Sequence, residues 1–97
     1  MIKGKLIVFE GPDGVGKTVL SKYTSDRLND LGLPCTWMSF PGREEGTLGH
    51  LIYDVHHQPE KFNIHNLPPA SKQALHIASH LDAIENRIIP MLMAGIN

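Results

Sequence analysis

The segment Gly11-Pro-Asp-Gly-Val-Gly16-Lys17-Thr18 constrains this chain more than any other. A glycine, four residues, a second glycine, a lysine and a hydroxyl residue follow one another at the spacing of a phosphate-binding loop. Glycines let successive main-chain N–H groups turn inward around a phosphate with no Cβ in the way. The flexible ammonium of Lys17 suits β- and γ-phosphates, and the Thr18 hydroxyl is placed to hold Mg²⁺. Before the loop stands Leu6-Ile-Val-Phe9, an apolar run of the kind buried on both faces of a parallel sheet. After it, Leu20, Tyr23, Arg27/Leu28 and Leu31 recur at helical spacing, and such a helix aims its positive dipole end at the same phosphates. Strand, loop and helix together predict a nucleoside triphosphate site held by Gly11, Asp13, Gly14, Val15, Gly16, Lys17 and Thr18. The bland alternative is a glycine-rich turn that merely caps a helix.

Further along, Gly32 and Pro34 stop the first helix, and Cys35–Phe40 reads as a second strand. Pro41–Gly46 is rich in turn residues, and Thr47 can cap a helix over Leu48–Val55. His56–Pro68 is polar and irregular. Pro68-Pro69 opens a long helix with an apolar stripe of Ala74, Ile77, Leu81, Ile84, Ile88 and Met91/Leu92. Pro90 should kink or break that helix, and Gly95 closes it. At 97 residues this is one small domain at most. A net charge of −1 gives no basic field for nucleic acid or anionic lipid. The single cysteine, Cys35, excludes an intrachain disulfide and suits a reducing compartment. The first apolar run meets Glu10 too early for a secretion signal, and no run has the length of a membrane span. These features predict a cytoplasmic protein.

Phe9-Glu-Gly-Pro-Asp-Gly-Val-Gly-Lys-Thr18 resembles the opening of the thymidylate kinase family. Ser39-Phe-Pro-Gly-Arg43 with Gly46-Thr-Leu-Gly49 resembles the family's second signature. Ile88-Ile-Pro-Met-Leu-Met-Ala-Gly95 resembles the tail of its long helix. The resemblance covers nearly all of residues 5 to 96. It implies an α/β P-loop kinase fold, a parallel sheet in a three-layer α/β/α arrangement, with residues 1–97 as the N-terminal part of a single domain truncated before the third strand. The family's third strand lies between the first two, so a second copy (a homo-oligomer), a separate chain or further residues would have to fill the gap. The implied reaction moves the γ-phosphoryl group of ATP, with Mg²⁺, to a (deoxy)nucleoside monophosphate, most like dTMP to dTDP. A strand ending in Asp-Arg and an arginine-rich lid lie beyond this stretch in the family, so the isolated chain is expected to be a poor catalyst.

By position, the resemblance assigns Lys17, Thr18 and the loop backbone to ATP and Mg²⁺, and Asp13 to the acceptor nucleotide near its sugar and phosphate. Arg43 matches the clamp on the acceptor phosphate, a task suited to two parallel N–H donors. Phe40 would line the acceptor site. His76 falls at the family's base-stacking phenylalanine and His80 at its base-reading arginine, a departure that leaves the accepted base open. Each has a plainer reading: a turn or cap for Asp13, a solvated loop arginine for Arg43, end-of-strand packing for Phe40, and two half-exposed helix residues for the histidines. An i, i+4 histidine pair can also ligate a metal, but no third ligand stands at a matching spacing. A different class of function also accommodates Lys17 and Thr18, a non-catalytic ATP-binding module that orders a partner or an oligomer.

Overall fold

A computed structural model describes residues 2–12, 14 and 16–97. Regular structure among them is helical throughout. It comprises α1 (Lys17–Asp30), α2 (Leu48–His57), a 3₁₀ turn (Pro59–Phe62), α3 (Pro69–Ala83), a π-helical turn (Ile84–Ile88) and α4 (Ile89–Met93). The expected α/β fold with its parallel sheet is therefore corrected: no described residue is in a strand. The cause is the lack of a neighbour, because a strand exists only through the ladder bonds of the strand beside it. Among the described residues Leu6–Phe9 makes no main-chain hydrogen bond. Leu6, Ile7 and Val8 stay 58%, 51% and 65% exposed, where a strand inside a parallel sheet would be buried.

The chain divides into two compact units, the described residues through Met38 with Ile89–Asn97, and Ser39–Ile88. In the first, α1 starts directly after the glycine-rich loop and ends where Gly32 predicts. The Gly32 N–H donates to the Asn29 carbonyl and the Leu33 N–H to the Leu28 carbonyl, with Gly32 at φ 81°, a left-handed exit that satisfies the last carbonyls of the helix. Asn29 then fastens the next segment. Its side-chain oxygen accepts from the Cys35 N–H at 3.0 Å, and its amide donates to the Cys35 carbonyl at 2.9 Å. Asn97 ties in the opposite side: its N–H donates to the Pro34 carbonyl and its carbonyl accepts from the Thr36 N–H, each at 2.8 Å. Those two bonds flank Cys35 in the alternation of a parallel ladder, one rung long. The Asn97 side chain meanwhile accepts from the Lys5 N–H at 2.9 Å.

The second unit is α2 packed on α3, with Ile52 and Ala83 as its buried apolar residues and Ser79 fully enclosed. Thr47 caps α2 as expected, its hydroxyl accepting from the His50 N–H at 3.2 Å. The helix runs on through His57, two residues past the predicted Val55. The apolar stripe predicted for the long helix does not face α2, because Ile77 and Leu81 are 51% and 53% exposed while Ser79 and Ala83 are buried. Small side chains let two helices approach closely, and that face is the one used. Pro69 occupies the first turn of α3, where its missing N–H leaves no bond unmade. Pro90 has the opposite effect, and the residues before it slip into the π-helical turn instead of a continuous α-helix.

Candidate functional site

The phosphate-loop residues lie in the first unit. Gly11, Gly14 and Gly16 have φ values of 155°, 86° and 81°, and at Gly14 and Gly16 a side chain would be strained even though the space around each is open. Gly16 is also the residue from which α1 departs, in the left-handed conformation and with no side-chain cap. The N–H groups of the first turn thus have no capping side chain, and no acidic residue stands in that turn. Such an end is suited to an anion. The Lys17 ammonium bends back to the loop, donating to the Gly11 carbonyl at 2.7 Å. Thr18 is exposed beside it. The glycine conformations, the uncapped helix start and the returned lysine fit a bound phosphate chain. Asp13 and Val15, assigned above to the nucleotide, lie outside the described residues.

The acceptor-side residues lie in the second unit, around a cavity of about 320 Å³. Its floor is Ile52, Ser79 and Gly49, and its wall is Ser39–Arg43. Three main-chain carbonyls of the neighbouring loop are pinned. The Arg87 guanidinium donates to the Pro41 carbonyl at 2.9 Å. His50 Nδ1 donates to the Arg43 carbonyl at 3.0 Å, since a carbonyl can only accept. The Thr47 hydroxyl donates to the Glu44 carbonyl at 2.6 Å. With its backbone held, the loop presents the Arg43 guanidinium over the Tyr53 ring, 4.5 Å from the centroid. Among the described residues Arg43 has no carboxylate within ion-pair distance, so its charge is available to an anion at the cavity rim.

The imidazoles divide. His76 lines the cavity, and its ring lies 4.7 Å from that of His56 on α2. His80 rests against Phe40 at 4.8 Å and does not line the cavity. Phe40 does line it. Two cavity residues not singled out from sequence, Tyr53 and His57, stack at 4.0 Å, and His57 Nδ1 donates to the Tyr53 carbonyl at 2.9 Å. Tyr53, His56 and His57 are three and four apart and so share a helical face; that signal is readable only once α2 is known to continue past Val55. Burial lowers the His56 pKa below its ordinary value, and the charges of His76, Lys72 and His57 lower it further against one hydrogen bond to the Lys72 backbone. The ring is thereby kept neutral.

Asp82 on α3 organises this unit from below. It accepts from the Leu48 N–H at 3.0 Å and from the Asn86 amide at 2.7 Å, and lies 3.5 Å from the Arg87 guanidinium. The Asn86 bond first, then the Leu48 N–H and Arg87, hold its carboxyl below the usual carboxylate range. Among the described residues no group of three or more His, Cys, Asp or Glu could hold a metal ion.

The chain is similar to thymidylate kinases. It is 34% identical over 95 residues to the thymidylate kinase of Pelotomaculum thermopropionicum, covering 97% of this chain and 41% of that one. It is 31% identical over 94 residues to that of Brachyspira hyodysenteriae, with 97% and 42% covered. Against that of a Thermoanaerobacter species the identity is 29% over 94 residues, with 97% and 43% covered. The chain spans about two fifths of the length of these curated relatives. No family profile and no solved structure matches it.

Proposed function

We propose that this chain is the N-terminal part of a single-domain nucleoside monophosphate kinase, transferring the γ-phosphoryl group of ATP to a deoxynucleoside monophosphate, with dTMP as the foremost acceptor. The observation that carries the reading is the cavity of about 320 Å³ with Arg43 at its rim and flat rings on its walls. That volume is at the small end of ligand sites and suits one nucleotide. A phosphate-binding loop alone would serve any nucleotide switch, whereas a second cavity with a guanidinium fork serves a phosphorylated acceptor. The names of the relatives support the same choice.

In this reading Gly11, Asp13, Gly14, Val15, Gly16, Lys17 and Thr18 hold the triphosphate, the lysine as a point charge on the β- and γ-phosphates and the main-chain N–H groups as the cradle. Mg²⁺, held by the Thr18 hydroxyl and the phosphates, neutralises the charge that grows during transfer. Arg43 clamps the acceptor phosphate, Asp13 positions the acceptor near its sugar, Phe40 and His76 bracket the base, and His80 supports Phe40. Catalysis of this kind is positioning and charge stabilisation, with no covalent bond to the protein.

The test is ADP formation from Mg-ATP across a panel of nucleoside monophosphates, with calorimetric binding of ATP and of each acceptor, and with Lys17→Ala as control. Turnover that peaks on one acceptor and is lost in the control is the expected result. ATP binding without acceptor binding or turnover would instead favour the module that binds ATP without transferring from it.

A further inference from the structure

We propose that His56, on α2, is a specificity residue of the acceptor cavity, its Nε2 hydrogen-bonding the heterocycle of the bound nucleotide while His76 steadies the ring. This rests on the acceptor reading of the cavity given above. The motif resemblance assigned base contacts to α3 alone, through His76 and His80. The structure adds a polar atom from the opposite helix. His56 lines the cavity, and its Nε2 is buried with no hydrogen-bond partner among the described residues. A ring nitrogen shut from water without a partner is costly, and native structures rarely leave one so unless something completes it.

Two features identify a nucleotide base as the completing group. The His56 and His76 rings stand 4.7 Å apart and tilted by 55°, so between them they offer a flat face and an edge nitrogen, the two things a heterocycle needs. At the rim of the same cavity, Arg43 supplies the charge for the phosphate of such a ligand. Groups facing His56 are His76 and Lys72 from α3 and His57 from α2, all cationic when charged. They favour the neutral ring, which has one donor and one acceptor nitrogen and so suits the mixed edge of a base. A cationic ring would offer donors alone.

The experiment compares calorimetric affinity of the whole chain for a panel of nucleoside monophosphates and for deoxyribose 5-phosphate, which has the sugar and phosphate but no base. His56→Leu should weaken the preferred nucleotide about tenfold, the effect of one lost hydrogen bond in a site built to make it, and leave deoxyribose 5-phosphate unchanged. His56→Gln, which keeps a donor and an acceptor, should recover most of the loss. In parallel, the ¹⁵N resonance of His56 Nε2, assigned by its absence in His56→Gln, should move when nucleotide is added and stay put with deoxyribose 5-phosphate; that readout uses the unaltered chain and stands even if His56→Leu does not fold. Equal affinity of the unaltered chain for nucleotide and deoxyribose 5-phosphate would overturn the proposal while leaving an acceptor-phosphate site intact. An unmoved resonance, or a His56→Leu chain that binds nucleotide as before, would also overturn it. Failure to bind either compound would overturn the acceptor reading itself, and this proposal with it.

Discussion

Lys17 folds its ammonium onto the Gly11 carbonyl, which keeps a positive charge at the loop with its stem already ordered. Replacing it with alanine removes hydrogen bonds to charged groups worth about 1.5–3 kcal/mol, so ATP affinity measured calorimetrically should drop by roughly 10- to 100-fold with the helix content unchanged. Arg43→Lys makes a sharper test, because it keeps the charge and deletes the fork. Acceptor affinity should fall by about tenfold, while ATP affinity, measured separately, should hold. At this scale the sequence was legible where chemistry is local. Gly11–Thr18 is a contiguous run whose spacing alone specifies a phosphate cradle, and Gly32 announces the end of α1. His56 was not legible, because its burial depends on Lys72 and His76 from another helix, and no local pattern encodes which helices meet.

Among the helices, α2 carries most of the acceptor cavity, and its entry is set by Thr47. That hydroxyl accepts from the His50 N–H and donates to the Glu44 carbonyl, so Thr47→Ala should cost about 1–2 kcal/mol in urea unfolding, the range for a lost cap. One turn in, a Cβ at Gly49 would overlap the Gly42 carbonyl oxygen. Gly49→Ala should therefore cost about 1–3 kcal/mol and also displace the loop, so acceptor binding should weaken with stability. Gly32→Ala, by contrast, meets open space at φ 81° and should cost about 1 kcal/mol from conformation alone, with acceptor binding unaffected. Periodicity located these helices to within a few residues, yet it misjudged the face of α3. Ile77 and Leu81 formed the obvious stripe, but the small Ser79 and Ala83 are what α2 packs against, since close approach needs small side chains as much as apolar ones. The strands failed for a related reason: Leu6–Phe9 has the composition of a buried strand, and composition does not supply a neighbour.

For the molecule as a whole, proton uptake on unfolding gives stability a definite slope. His56 binds a proton less readily in the folded chain than at its ordinary value of about 6.5. Unfolding therefore takes up a proton as pH falls below 6.5, and stability should decline from pH 7 toward pH 5.5 and level out once the folded ring is charged. Asp82 acts in the same direction lower down, its lowered carboxyl adding stability that is present above its ordinary range near 3.8 and lost as the folded group protonates. Thermal unfolding midpoints at pH 7.5, 6.5 and 5.5 should fall in that order, and His56→Gln should flatten the series. With Ile52 and Ala83 as the buried apolar residues described, the stability available to lose is small. Among the described residues no helix is long and apolar enough to cross a membrane.

The loop beside the acceptor cavity is fixed by its carbonyls, at Pro41, Arg43 and Glu44. A carbonyl is common to every residue type, so the path of the loop does not depend on which side chains it bears. Arg43, Glu44 and Glu45 are in that sense interchangeable fittings on a fixed mount. Lineages or laboratory libraries that vary them should change the charge of the accepted group without rebuilding the fold, and selectivity at this rim can drift faster than the scaffold beneath it.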